Sequence, residues 1–185
     1  MINLFSKPVA TFTSKSGKKI EIFSPSMNRL PELLKFVNRL VLEDTYLNLS
    51  GKPKSIEEEE RWLKGTLMEI KSHKNMLFWA CYESKIVGSV NILHGYERSW
   101  HVGRIGLMVD QDFRREGIGK FLLEYILEKA KDFDLKIATL EVFSDNVAAI
   151  SLYEKIGFKI YGKLPEGLYR KGKFSDAIEM CKEIN

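Results

Sequence analysis

The run Arg114-Arg115-Glu116-Gly117-Ile118-Gly119-Lys120 joins three cations to two closely spaced glycines. It falls where an apolar segment, Ile105 to Val109, gives way to an amphipathic helix pattern. Glycine lets a ligand approach the main chain, and the first N–H groups of a helix have no intrahelical acceptor. With the positive end of the helix dipole and three cations added, such a turn favours a phosphate or pyrophosphate over a carboxylate. It is not a Walker A loop, because Gly119-Lys120 is followed by Phe121. Nor is it a dinucleotide fingerprint, since Leu122 stands where a third glycine belongs. Two further side chains could move protons. Glu141 is a carboxylate in a stretch, Ile137 to Phe143, otherwise apolar on both faces except for Thr139. A charge there needs a reason: general base chemistry, or an ion pair with a neighbouring Lys or Arg. Tyr153 shares an apolar helical stripe with Ala149, Leu152 and Ile156, which suits core packing, and its phenol is able to give up a proton.

The elements that must position these groups are legible from periodicity. Lys19 to Phe23 alternates like a half-buried strand and can pair with Pro8 to Thr13 across a turn at Ser14 to Gly17. After Pro31, residues Leu33, Leu34, Val37, Leu40 and Val41 share one helical face. Ser55 and Glu58 form a capping box, and the acidic run Glu57 to Glu60 suits a helix N-terminus. Met76 to Tyr82 and Lys85 to Leu93 read as an antiparallel hairpin turning at Glu83-Ser84, with a third strand from about Val102 to Val109. Ile118, Phe121, Leu122, Tyr125 and Ile126 give the helix after the glycines its buried stripe. Ile137 to Phe143 reads as a central, parallel strand. Asp145-Asn146 opens a helix that Gly157 stops, Phe158 to Tyr161 is a short strand, and Phe174 to Ile184 is a last one beside it.

Composition sets the outer bounds. A chain of 185 residues with 44% hydrophobic residues and no Pro-, Gly- or Ser-rich linker fits one domain, with residues 1–18 as an N-terminal extension or extra strand. The net charge of +4 is too small and too dispersed for a nucleic-acid surface, but it suits an anionic ligand. Cys81 and Cys181 have neither metal-ligand spacing nor the context of a nucleophile, so no metal and a reduced, cytoplasmic chain are expected. No apolar run reaches the length of a membrane span, and Met1 to Lys19 lacks the pattern of a signal peptide.

A second block, Asn146-x-x-Ala149-x-x-Leu152-Tyr153-Glu154-Lys155-x-Gly157-Phe158, follows the glycine loop by about thirty residues. Together the two resemble the GNAT superfamily of acetyl-CoA-dependent N-acetyltransferases, strongly over about residues 102 to 161 and more loosely at Asp176 to Met180. The chain departs from the family pattern at Gln111, where Pro is frequent, and at Arg115, where Gly is frequent. The resemblance implies an α+β GNAT fold: a mixed central sheet of about six to seven strands, about four helices, and central parallel strands that splay apart. It also implies acetyl-CoA as co-substrate, its pyrophosphate held by Arg114, Arg115, Gly117, Ile118, Gly119 and Lys120, with Asn146 near the coenzyme or simply capping its helix. Main-chain atoms of Leu107 and Val109 would bind the pantetheine, the Val109 N–H polarising the thioester carbonyl.

On the same footing Tyr153 is the general acid for the departing thiolate and Glu141 the general base for the attacking amine. The Leu140-Glu141-Val142 strand and its offset from Tyr153 match the ribosomal-protein alanine acetyltransferases, which favours a peptide α-amine as acceptor. Polyamines, amino acids and antibiotic amines are alternatives, as is a non-catalytic acyl-CoA-sensing module. The base could instead be His101, Glu43 or Asp44; His73 and His94 have less to recommend them. Transfer is expected to be direct, without an acyl-enzyme. Family members often pair, so a homodimer is also an expected partner state.

Overall fold

A computed structural model of the chain describes residues 7–44, 46–47 and 52–184. The first six residues of the expected N-terminal extension lie outside them.

The chain order is β1 (Ala10–Thr13), β2 (Lys19–Phe23), α1 (Leu30–Glu43), α2 (Ile56–Lys71), β3 (Asn75–Tyr82) and β4 (Lys85–His94), then β5 (Val102–Val109), α3 (Ile118–Lys131), β6 (Ile137–Phe143), α4 (Val147–Ile156), β7 (Lys159–Arg170) and β8 (Lys173–Glu183). The strands form one sheet in the order β1-β2-β3-β4-β5-β6-β8-β7. The described sheet has eight strands where six to seven were expected, the N-terminal hairpin being part of it. Every neighbouring pair is antiparallel except β5 and β6, which α3 connects as a crossover.

Alternation along the strands sends apolar residues to both faces, and each face has its own core. One gathers Ile92, Ile105, Leu122, Ile126, Leu140 and Tyr153 under α3 and α4; the other gathers Leu33, Leu40, Leu63, Leu77 and Trp79 under α1 and α2. Burying a Leu or Ile side chain contributes about 1.5–3 kcal/mol, so the two layers fix the sheet between helices. Local signals end the helices as read: the Ser55–Glu58 capping box opens α2, and Gly157 at φ 100° closes α4.

The structure extends one element. The strand expected to stop at Tyr161 continues to Arg170. Gly162, Pro165 and Gly167 read as loop, but two register shifts along β8, between Ile160 and Gly162 and between Leu164 and Leu168, absorb them. As β7 is an edge strand, Pro165 can face away from the ladder without losing a needed hydrogen bond.

The feature that matters for function is where pairing stops. β5 and β6 are in register only from Val102–Ile137 to Arg104–Thr139. β5 stays paired with β4 as far as Val109, and β6 with β8 as far as Phe143. Beyond Arg104 the two parallel strands therefore have no ladder between them. No helix among the described residues is long and apolar enough to cross a membrane.

Candidate active site

The gap leaves particular backbone groups facing it. Gly95 N–H donates to the Val102 carbonyl and Asp110 N–H to the Val87 carbonyl, so even-numbered residues of β5 turn their polar groups to the β4 side. Strand alternation then turns those of Ile105, Leu107 and Val109 to the gap. The carbonyl of Val109 accepts a bond from Arg114 Nε at 3.1 Å. The expected main-chain positions thus line an unladdered edge.

Gly117 lies just above this gap, at φ 89°, as the N-cap of α3. It has no side chain to cap the helix, and the first backbone bond runs from Phe121 N–H to the Gly117 carbonyl at 3.0 Å. The N–H groups of Ile118, Gly119 and Lys120 therefore have no intrahelical acceptor. Gly119 marks a convergence: a Cβ built on it would meet the side chains of Leu152, Leu107 and Val109 at 3.5–3.6 Å. The start of α3, the middle of α4 and the splayed end of β5 meet at that point.

The cations divide. Arg114 is engaged by the protein, its guanidinium forming a two-pronged pair with Glu43 at the end of α1. Arg115 has no ion-pair partner among the described residues, and it stands at φ 63°, the left-handed conformation that glycine adopts freely. Lys120 is exposed and pairs loosely with Glu124 at 3.6 Å. Asn146 caps α4, its side-chain oxygen accepting from Ala149 N–H at 3.3 Å.

Sequence reading missed what braces this loop. Glu116 accepts from Ser16 N–H at 2.9 Å and pairs with Lys18 at 3.4 Å, while Lys15 N–H donates to the Glu116 carbonyl. The Ser16 main-chain N–H, with the Ser16 and Ser14 hydroxyls, holds the Glu116 carboxyl down at about 2. Phe12 stacks on Phe121 at 4.9 Å and lies 3.1 Å from the Cβ that Gly117 lacks. From the other side, Arg39 of α1 pairs with Asp110, which is only 3% exposed, and with Asp112. The charge pattern of residues 110–116 was the available signal, but charges alone do not name their partners.

Tyr153 is 8% exposed, edge-on to Phe158, and no protein group among the described residues hydrogen-bonds its hydroxyl. Burial pushes its phenol up to about 12, so it holds its proton at neutral pH. Glu141 lies on the opposite face of the sheet from Leu140 and Val142, which join the core under α4. It stands directly across from Glu179 on β8. Arg104 reaches both carboxylates, at 3.4 Å and 3.9 Å, and Tyr161 donates to Glu179 at 3.4 Å. Burial raises the Glu141 pKa, Arg104 opposes this, and Glu179 adds to it. The ion pair expected as the alternative role of Glu141 is therefore present. Glu141 and Tyr153 lie on opposite faces of the sheet.

The rival bases are placed elsewhere. Glu43 is held by Arg114, and Asp44 is the left-handed C-cap of α1. His101 precedes β5 at its paired end, roughly 26 Å from Val109 at about 3.3 Å per residue. His73 and His94 flank the Phe133 ring. No group of residues that could hold a metal ion occurs among the described residues.

The chain is 31% identical over 106 residues to the L-amino acid N-acetyltransferase AaaT of Escherichia coli K12, the match covering 56% of this chain and 65% of that protein. It is 42% identical over 52 residues to the ribosomal protein bS18 alanine N-acetyltransferase of Salmonella typhimurium, covering 28% of this chain and 35% of that protein. The chain thus spans less than two thirds of either relative. A GNAT-family acetyltransferase structure from Streptococcus pneumoniae superposes with a TM-score of 0.80 at 31% identity, covering 90% of this chain and 99% of that one. The sequence model of the acetyltransferase (GNAT) family matches residues 38–158, a span that holds the glycine loop, the splayed strands, Glu141 and Tyr153. The chain belongs to the GNAT family of acetyltransferases.

Proposed function

We propose that this chain transfers the acetyl group of acetyl-CoA to a primary amine, and that the amine is the N-terminus of a peptide or protein. The observation that carries the reading is the unladdered edge of β5 beside the open N-terminus of α3. Leu107 and Val109 offer main-chain groups to a strand-like pantetheine, and the N–H groups of Ile118, Gly119 and Lys120 suit its pyrophosphate. Arg115, without an ion-pair partner among the described residues, is the cation offered to the same group. Arg114, in this reading, holds the loop through Glu43 and Val109 instead of meeting phosphate itself. Acetyl-CoA supplies the activated acyl group. The two free cysteines support a reducing, cytoplasmic setting.

The protein's part is to manage two protons and one developing negative charge. Glu141 Oε accepts the proton of the amine, directly or through water; the Val109 N–H stabilises charge on the carbonyl oxygen; Tyr153 Oη donates to the departing sulfur. A neutral phenol in a dry site suits that donation. Tyr153→Phe should slow transfer by on the order of 100-fold, the lower end of acid assistance. Acetyl-CoA affinity should hold, because the hydroxyl has no protein partner to lose. Wild-type turnover in that variant would leave Tyr153 as packing only.

Glu179 enters as the neighbour that sets when Glu141 ionises. Glu179→Gln removes a negative charge and leaves Arg104, so Glu141 should ionise at lower pH. The acid limb of kcat/KM should then move to lower pH; a limb that stays in place would separate Glu179 from the chemistry. The acceptor class has one competing reading, a free amino acid, favoured by the relative named for that substrate. Incubation with acetyl-CoA and a panel of peptides, amino acids and polyamines, read by free thiol and mass shift, tests both. Acetyl-CoA binding without turnover on any amine would leave only a sensing module.

A further inference from the structure

Under α2, a cavity of about 450 Å³ is lined by residues of α2, β3 and β4, among them Arg61, Trp62, Gly65, Asn75, Leu77 and Asn91. Three features set it apart from an ordinary packing defect. Asn75 is only 4% exposed; its amide nitrogen donates to Glu69 at 3.0 Å, while its Oδ1 is fully buried with no partner. A buried carbonyl oxygen left bare is costly unless something donates to it. Gly65 lies inside α2, where glycine weakens a helix, yet a Cβ there would meet nothing within 4 Å. The protein's own packing does not require that glycine, which borders the cavity. Finally, Asn91 leans over β5: its Oδ1 lies 2.5 Å from the Cβ that Gly106 lacks.

That last contact ties the cavity to the gap between the parallel strands. Asn91 pairs with Gly106 and Leu93 with Arg104, whereas the open edge of β5 ends at Val109. Three to five residues of strand separate them, roughly 10–17 Å at about 3.3 Å per residue. A single amino acid acetylated at the gap does not reach the cavity. An extended peptide does, with its third or fourth residue. The lining also selects what enters: Asn75 Oδ1 needs a donor, Arg61 and the Asn91 amide can donate, and Trp62 and Leu77 cover a flat apolar stem. A side-chain amide has both a donor and an acceptor on such a stem.

We propose that this cavity is a distal acceptor subsite that receives the side-chain amide of glutamine or asparagine at the third or fourth residue of a peptide whose N-terminus is acetylated at the gap. The inference rests on the peptide-acceptor reading above. The test compares alanine amide with the tetrapeptide amides Ala-Ala-Ala-Ala, Ala-Ala-Gln-Ala and Ala-Ala-Ala-Gln, using the whole chain and acetyl-CoA. One glutamine peptide should exceed the all-alanine peptide by about 10-fold in kcat/KM, the scale of one net hydrogen bond. Gly65→Leu, which fills the cavity from an exposed helix position, and Asn75→Leu should each erase that preference and raise the peptide KM without raising the acetyl-CoA KM. Should Asn75→Leu not fold, Gly65→Leu decides alone. Turnover of all four acceptors without preference, or a preference that survives Gly65→Leu, overturns the subsite while the transferase reading stands. Turnover of alanine amide alone overturns the subsite and selects small amines. Absence of turnover with every acceptor removes the peptide reading and the subsite with it.

Discussion

Glu141→Gln should lower turnover by about 100- to 10,000-fold, the range of general-base assistance, and the loss should depend on pH in a particular way. The amine must be unprotonated to attack, and a peptide α-amine has a pKa near about 8. Above that value the acceptor is already neutral and the missing base matters little. Below it, the wild-type enzyme relies on ionised Glu141, whose proton affinity is raised by burial and by Glu179. Wild-type kcat/KM should therefore fall as pH drops through the raised Glu141 pKa. The variant should lack that limb and show its greatest deficit in the window between the Glu141 and amine pKa values. Acetyl-CoA affinity, read by calorimetry, should hardly change, since Glu141 lies on the sheet face away from α3 and α4. Equal rates for variant and wild type across that window would reject Glu141 as the base and leave its pair with Arg104 as its whole role.

Gly117→Val should weaken acetyl-CoA by on the order of 100-fold or more, for two separable reasons. At φ 89° a side chain is strained, by about 1–2 kcal/mol, and the new Cβ would approach Phe12 at 3.1 Å. The loop can escape only by shifting away from the N-terminal hairpin that holds it through Glu116. A shift turns the N–H groups of Ile118 and Gly119 off the diphosphate, and hydrogen bonds to a charged group contribute about 1.5–3 kcal/mol each. Phe12→Ala in the same chain relieves the contact but not the backbone strain, so it should restore part of the affinity. A Gly117→Val protein that binds acetyl-CoA like wild type would show that these amides do not hold the diphosphate, and the functional reading would fall with them.

Much of this was legible from residues alone because it is local. Periodicity gave the helices on each face, the Ser55–Glu58 box and Gly157 gave helix ends, and the two glycines after a strand marked the open helix N-terminus. Other features were not legible because like-looking groups compete for the same roles. Nothing in the spacing of Arg114 and Arg115 says that the first turns to Glu43 while the second has no ion-pair partner among the described residues. Gly162, Pro165 and Gly167 look like a loop until β8 supplies a ladder whose bulges take them in. The partner of Glu141 is Glu179, thirty-eight residues away in sequence, and only the β6–β8 register makes them neighbours.

The sequence by itself determined the kinds of elements and the loop that offers bare amides, and it singled out Glu141 and Tyr153, since each depends on residues within a turn or a strand of one another. Tertiary structure alone decided that β5 and β6 part after Arg104, that Glu141 and Tyr153 lie on opposite faces of the sheet, and which charges are already paired. The physical reason is that these outcomes are set by strand register and by packing between distant segments. Such contacts depend on the fold as a whole, and no short stretch of chain encodes them.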